Sequence, residues 1–376
     1  MSERPGFLRR NALKLIASAL ITGAIVWGLQ SVGLKLWPSG VSFAQVKWWT
    51  LPAYLATLIG MSWFRAVRWR FLLRKVAGDV GLARLLSVSW IGFAAIMLLP
   101  FRLGELVRPM MIREKGKVSF SAATGSVVAE RVVDGLYLSI LLALALVFVP
   151  HIDPLPEAVL DVPGGGKVHV SGHQIRASGF LMLAVFAVAF VVIAVFYFAR
   201  GWAHRTTLKV VGVVSTGLAQ KLAGIAEKLA DGLHFLGSAR DAGGFLLESS
   251  GYWLLNAGGM WLLAWGCGVV HADGTPIAFG ESCAMMGMLG IAVLIPGPPG
   301  LLGTFQAGIY AGMVMYFPVA TATNEGAAYV FLLYATQVVW TVGAAVFLLV
   351  RDRAALRMLF ADPKDLEGEP VSEAST

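Results

Sequence analysis

Long apolar runs separated by short clusters of charge dominate the chain. Runs of roughly 18 or more residues predict membrane-spanning helices. Spans are expected at about 12–32, 48–67, 179–198, 245–270 and 326–350. A sixth begins within the predicted helix 119–132 and continues to about 149. Two further runs, 85–99 and 277–295, are short and end in helix breakers, at Pro100 and at the PGPPG of 296–300. The first has basic residues on both flanks, Arg65 to Lys75 before it and Arg102 to Lys117 after it. Cytoplasmic flanks carry the excess of Lys and Arg, so a single crossing there would break the charge rule. A re-entrant pair at about 85–117 satisfies it. The same bookkeeping makes 277–317 a second re-entrant pair, entering from the opposite face. Leucines recurring at three and four predict a cytoplasmic amphipathic helix at about 207–236. The segment 150–176 reads as an external loop, and 356–376 as a disordered cytoplasmic tail. The predicted fold class is an all-α polytopic membrane protein of about six full spans plus two re-entrant hairpins. One transmembrane domain, 1–355, accounts for the whole fold.

Composition supports this. Of 376 residues, 57% are hydrophobic and 14% charged, against about 25% charged in soluble domains. The net charge of +8 reads as cytoplasmic Lys and Arg rather than a nucleic-acid surface, with anionic headgroups as the natural partner. Arg4, Arg9, Arg10 and Lys14 place the N-terminus in the cytoplasm, and Arg351, Arg353 and Arg357 do the same for the C-terminal end. Cys267 and Cys283 sit in or beside apolar runs and read as small buried hydrophobes. His151, His169 and His173 lack clear partner ligands, so no metal or other cofactor is expected.

The chemistry concentrates in LLPFRLGELVRPMMIREKGK, residues 98–117. A re-entrant turn there carries Arg102, Glu105 and Arg108 to membrane depth, where ionisable groups mark sites or pathways. Glu130, Arg131 and Asp134 join them. Glu130 and Asp134 are four apart on one helical face. Arginine forks suit phosphate, so Arg102, Arg108 and Arg131 are the candidate headgroup ligands. Glu105, Glu130 and Asp134 would balance them in the empty site. The same residues would also serve as a static ion-pair network holding the turn. The second break is almost uncharged, with Thr304 and Gln306 just beyond it. Pro100 and Gly104 in the first break match Pro296 and Gly300 in the second. Paired interruptions of this kind are the mark of an inverted-repeat transporter. One charged and one apolar half suit an amphiphile. The arginines of 65–74 read as a snorkelling collar at the cytoplasmic interface.

Four stretches carry a resemblance: RWRFLLR at 68–74, LLPFRLGELVRP at 98–109, VVAERVVDGL at 127–136 and PGPPGLLGTFQAG at 296–308. The chain resembles, over about 10–355, the lysylphosphatidylglycerol synthase transmembrane (flippase-like) family, which includes the membrane part of the bacterial multiple peptide resistance factor. The resemblance implies a lipid-translocase-like fold with re-entrant helices. It lends weight to Arg102, Gly104, Glu105, Arg108, Glu130, Arg131 and Asp134. The resistance factor also has a soluble aminoacyl-transferase domain, for which 356–376 leaves no room. Synthesis of aminoacylated lipid is therefore not expected, and no catalytic motif suggests an enzyme. The expected function is a flippase or transporter moving a phospholipid or polyprenyl-linked lipid across a bacterial cytoplasmic (inner) membrane. A membrane-embedded lipid-linked glycosyl or headgroup transferase is the alternative, and a scaffold for a lipid-synthesis enzyme a third. A homo-oligomer is left open.

Overall fold

The computed structural model describes residues 37–78, 80–99, 104–112, 118, 120–152, 158–162, 166–170, 172–212, 215–217, 219–220, 224, 238–294 and 299–351. The expected first span, Pro100, Arg102, Pro296, most of 207–236 and the tail lie outside these residues.

The main helices are α1 (Thr50–Val67), α2 (Trp69–Ala77), α3 (Leu82–Leu98), α4 (Val107–Ile112) and α5 (Phe120–Phe148). They continue with α6 (Gly172–Phe198), α7 (Arg200–Gly212), α8 (Ala239–Gly266), α9 (Phe279–Leu294), α10 (Thr304–Met313), α11 (Val319–Thr323) and α12 (Glu325–Arg351). Where 150–176 reads as loop, the structure has a two-stranded antiparallel hairpin, Ala158–Val162 with Gly166–Val170. Its VLDV and KVHV stretches favour extended backbone.

Among the described residues, two helices are both long and apolar enough to cross a membrane, Ala122–Phe148 and Glu325–Arg351. Their outer faces are not covered. Leu144, Val147 and Phe148 of α5 and Val339, Phe347 and Val350 of α12 are exposed. So are Leu181, Val185 and Val188 of α6. An uncovered apolar surface of this extent is stable against hydrocarbon, not water. The chain is a helical membrane protein.

Two fold-backs organise the interior. Helix α3 has 17 residues, about 25 Å, and so falls short of a hydrocarbon core of about 30 Å. Past its end the chain returns against it. A Cβ at Gly104 would overlap the backbone of Ala95 and Ile96, so only glycine allows this approach. Helices α9 and α10 form the other fold-back. A Cβ at Gly308 would lie 2.8 Å from Leu289 Cα, and one at Gly312 2.6 Å from Met285 Cα. As the position on α10 advances by four, the one on α9 recedes by four, so the two helices run antiparallel. The small-xxx-small spacing lets their backbones meet. The turn between them holds Gly300, Leu301 and Gly303 at positive φ. Leu301 is the strained member, because a side chain disfavours that region by roughly 1–2 kcal/mol. The fold-backs meet where Tyr334 of α12 donates to the Gly300 carbonyl at 2.9 Å, with Met97 of α3 beside Gly300.

Candidate functional site

The charged centre of the molecule is built on α5. Asp134 is the middle residue of this 29-residue helix, and Glu130 lies one turn before it on the same face. Both are buried, Glu130 completely. Their main partner comes from α1 and α2. Arg68, at the junction of those helices, is fully buried. It grips Asp134 with both arms of its fork, Nη1 to Oδ1 at 2.6 Å and Nη2 to Oδ2 at 2.7 Å. Nη2 also donates to Glu130 Oε1 at 3.0 Å. Bidentate, charge-assisted pairs of this kind are the strong ones. Tyr252 of α8 flanks the Arg68 guanidinium at 4.8 Å.

The remaining charges enter from two sides. Arg108 of α4 is fully buried, and its Nη1 lies 3.0 Å from Glu130 Oε2. Its guanidinium stacks over Trp69 at 4.1 Å. Arg131 contacts three carboxylates: Glu130 at 2.7 Å, Asp134 at 3.3 Å and Glu105 at 3.7 Å. Among the described residues, four guanidiniums (Arg65, Arg68, Arg108 and Arg131) thus gather with three carboxylates (Glu105, Glu130 and Asp134), an excess of one positive charge. Burying such groups costs several kcal/mol each and is tolerable only because nearly all are paired.

Beside this cluster lies a cavity of about 440 Å³. One end is lined by Arg65, Glu105, Arg131 and Asp134 with Tyr252. Much of the remaining wall is apolar and comes from both fold-backs, Phe93, Ile96 and Met97 of α3, Leu289 and Val293 of α9, then Leu301 and Phe305, while Ser62, Asn256, Gln337 and Thr341 are further polar members. The cavity is therefore itself amphipathic.

Of the residues expected from sequence, the structure brings together Glu105, Arg108, Glu130, Arg131 and Asp134. Arg102 lies outside the described residues. Thr304 and Gln306 are buried, but the cavity is lined by Phe305 between them. Gln306 is engaged in the turn, where its Oε1 accepts from the Gly303 N–H at 2.7 Å. The collar of arginines divides. Arg70 and Arg74 pair with Glu248 and Asp241 of α8, at 3.7 and 2.6 Å. Arg65 and Arg68 instead turn inward and belong to the site. The clue is their spacing: residues three apart share a face, and that face meets the two carboxylates of VVAERVVDG.

A family model described as the lysylphosphatidylglycerol synthase TM region matches residues 14–345. The chain belongs to this family. The match takes in all of the described site and both fold-backs. A curated relative, glycosyltransferase AglD of Haloferax volcanii, is 24% identical over 344 residues. The alignment covers 87% of this chain and 53% of the relative, so the chain spans about half the relative's length. No solved structure matches. Membership makes this a membrane protein of a lipid-related family.

Proposed function

We propose that the chain moves an amphipathic, phosphate-bearing lipid between the two leaflets of a bacterial cytoplasmic membrane, with both termini in the cytoplasm. The observation that carries this reading is the cavity. Its charged end presents the Arg65 and Arg131 guanidiniums beside Glu105 and Asp134, and apolar side chains of both fold-backs line much of the rest. A phosphate suits the first and hydrocarbon the second. At about 440 Å³ it is within the usual range for small-molecule sites. It fits a headgroup with the upper part of its chains, not a whole diacyl lipid. The fold-backs are read as the re-entrant pairs of an inverted-repeat transporter, since paired interrupted helices mark a midplane site. The test is transport by the purified full chain in proteoliposomes. Labelled phosphatidylglycerol, phosphatidylethanolamine and a polyprenyl phosphate are followed by quenching from outside. Accelerated exchange of at least one of them is expected. No acceleration across the panel would refute the reading.

The relative's name, a glycosyltransferase, favours a second reading: a membrane-embedded transferase using a lipid-linked substrate. Glu130 or Asp134 would then act as general acid or base. Each is tied to at least two arginines, which suits holding charge better than passing protons. A product formed by the purified chain, and abolished in Glu130→Gln, would reverse the order of the two readings.

A further inference from the structure

We propose that Arg65 is the residue that takes the phosphate, and that the preferred ligand is an anionic phosphodiester lipid rather than a zwitterionic one. This rests on the lipid-transport reading above and assigns the headgroup chemistry within it.

The argument starts from what each guanidinium is already doing. Arg68 is committed to Asp134 and Glu130. Arg108 is committed to Glu130, and Arg131 to three carboxylates. Arg65 differs. It sits one turn before Arg68 on α1 and lines the cavity. Among the described residues it forms no ion pair, which sets it apart; its Nε, like those of Arg68, Arg108 and Arg131, is buried with no hydrogen-bond partner. Its contacts are aromatic: the guanidinium lies over the Phe93 ring at 4.0 Å, with Tyr252 at 6.0 Å. Stacking on a ring face fixes the plane of the fork but satisfies none of its N–H groups. A guanidinium held in place, facing a cavity and lacking an acceptor, is arranged for a ligand oxygen. Leaving it so is costly at membrane depth, and such costs are usually kept for function.

The charge balance narrows the ligand. The excess of one positive charge among the described residues is matched by one negative charge. A phosphodiester carries one, and offers two oxygens to a bidentate fork. A zwitterionic headgroup adds no net charge and leaves that excess unmatched, its ammonium meeting Glu105 and Asp134 as well as Arg65 and Arg131. The apolar neighbours Met61, Phe93 and Trp253 leave the lipid glycerol and chains on the hydrocarbon side of that contact.

The test uses the purified full chain in detergent, followed by its thermal melt. The probes are dioctanoyl phosphatidylglycerol, dioctanoyl phosphatidylcholine, dioctanoylglycerol and inorganic phosphate. The wild type should be stabilised saturably by phosphatidylglycerol, less by phosphatidylcholine, and not by dioctanoylglycerol. Arg65→Gln should weaken the phosphatidylglycerol response by at least about tenfold, the worth of one charged hydrogen bond. Arg65→Lys, which keeps the charge without the fork, should fall between. Without lipid, Arg65→Gln should melt no lower than wild type, because no ion pair is lost. A purely structural arginine would give the opposite. Wild-type binding retained in Arg65→Gln would overturn the assignment and leave the lipid reading standing. So would a lipid-free melt lowered in both variants. An equal response to inorganic phosphate alone would make the ligand a free anion and overturn the lipid class. No response of the wild type to either phospholipid would instead count against the lipid-transport reading itself.

Discussion

Glu130 is the node on which the charged cluster depends, and neutralising it tests the account of how the cluster is held. Its Oε1 serves Arg68 and Arg131, at 3.0 and 2.7 Å, and its Oε2 faces Arg108 at 3.0 Å. In Glu130→Gln the three arginines fare differently. Arg68 keeps both bonds to Asp134. Arg131 keeps Asp134 and Glu105. Arg108 loses the one carboxylate that holds it among the described residues, while remaining fully buried. Removing one partner of a buried pair costs about 3–5 kcal/mol, most of it from the charge left behind. That is the expected loss. Arg108→Met alone leaves Glu130 with two other arginines and keeps contact with Trp69, so it should cost less, about 1–3 kcal/mol. In the double variant the stranded charge is gone. Its cost should fall below the sum of the singles by about 2 kcal/mol or more, a coupling typical of groups in one network. Unfolding by sodium dodecyl sulfate in mixed micelles measures all four proteins. Additive losses, or an unchanged Glu130→Gln, would refute the claim that Glu130 is what neutralises Arg108.

Three further outcomes follow from the packing. Gly104→Ala places a methyl inside the backbone of Ala95 and Ile96, where no rotamer change can relieve it, so it should cost about 1–3 kcal/mol or more. Gly258→Ala, a helical position with nothing within 4 Å, should be neutral or stabilising by up to about 1 kcal/mol in the same melt. Gln306→Ala removes the acceptor for the Gly303 N–H and should lower stability by about 0.5–2 kcal/mol; if its role is only to hold the turn, lipid binding should be unchanged. His271, in the loop before α9, gives a pH test. Burial pulls its pKa down, but the Thr275 carbonyl and the Glu281 carboxylate, 2.9 and 2.7 Å from its ring nitrogens, with Asp273 nearby, raise it above the ordinary value. A raised folded-state pKa gives stability that is fully present below the unfolded value of about 6.5 and lost as pH rises through the folded one. The melting temperature should therefore fall as pH rises from about 6.5 through the raised folded value, and His271→Gln should flatten that fall.

Much of the architecture was legible because apolar length and breaker residues are strong signals. The predicted 326–350 is α12 within a residue at each end, and 119–149 is the single helix α5. The fold-back after α3 was readable from fifteen apolar residues with basic flanks on both sides. The acidic face of α5 was readable from the four-residue spacing of Glu130 and Asp134. What sequence did not give was direction. Arg65, Arg68, Arg70 and Arg74 all read as one basic collar, because the charge rule counts arginines without saying where they point. In the structure α1 gives way to α2 at Arg68; Arg68 turns inward there, while Arg70 and Arg74 pair with α8. The turn after α9 misled for a related reason. Thr304 and Gln306 are the polar residues of that break, yet Gln306 is spent on a backbone N–H. The matching Pro-xxx-Gly pattern also hides two different needs. Gly104 is required for close approach, Gly300 for positive φ.

The central claim is that the cavity between the fold-backs holds a lipid by its phosphate. Its most direct test is an electron cryomicroscopy map of the full chain in nanodiscs containing phosphatidylglycerol. The account predicts density inside the cavity with its phosphate within hydrogen-bond distance of Arg65, and with its chains running past Leu289 and Phe305. A cavity empty of lipid in that map, or a chain rather than a headgroup lying against Arg65 and Arg131, would contradict it.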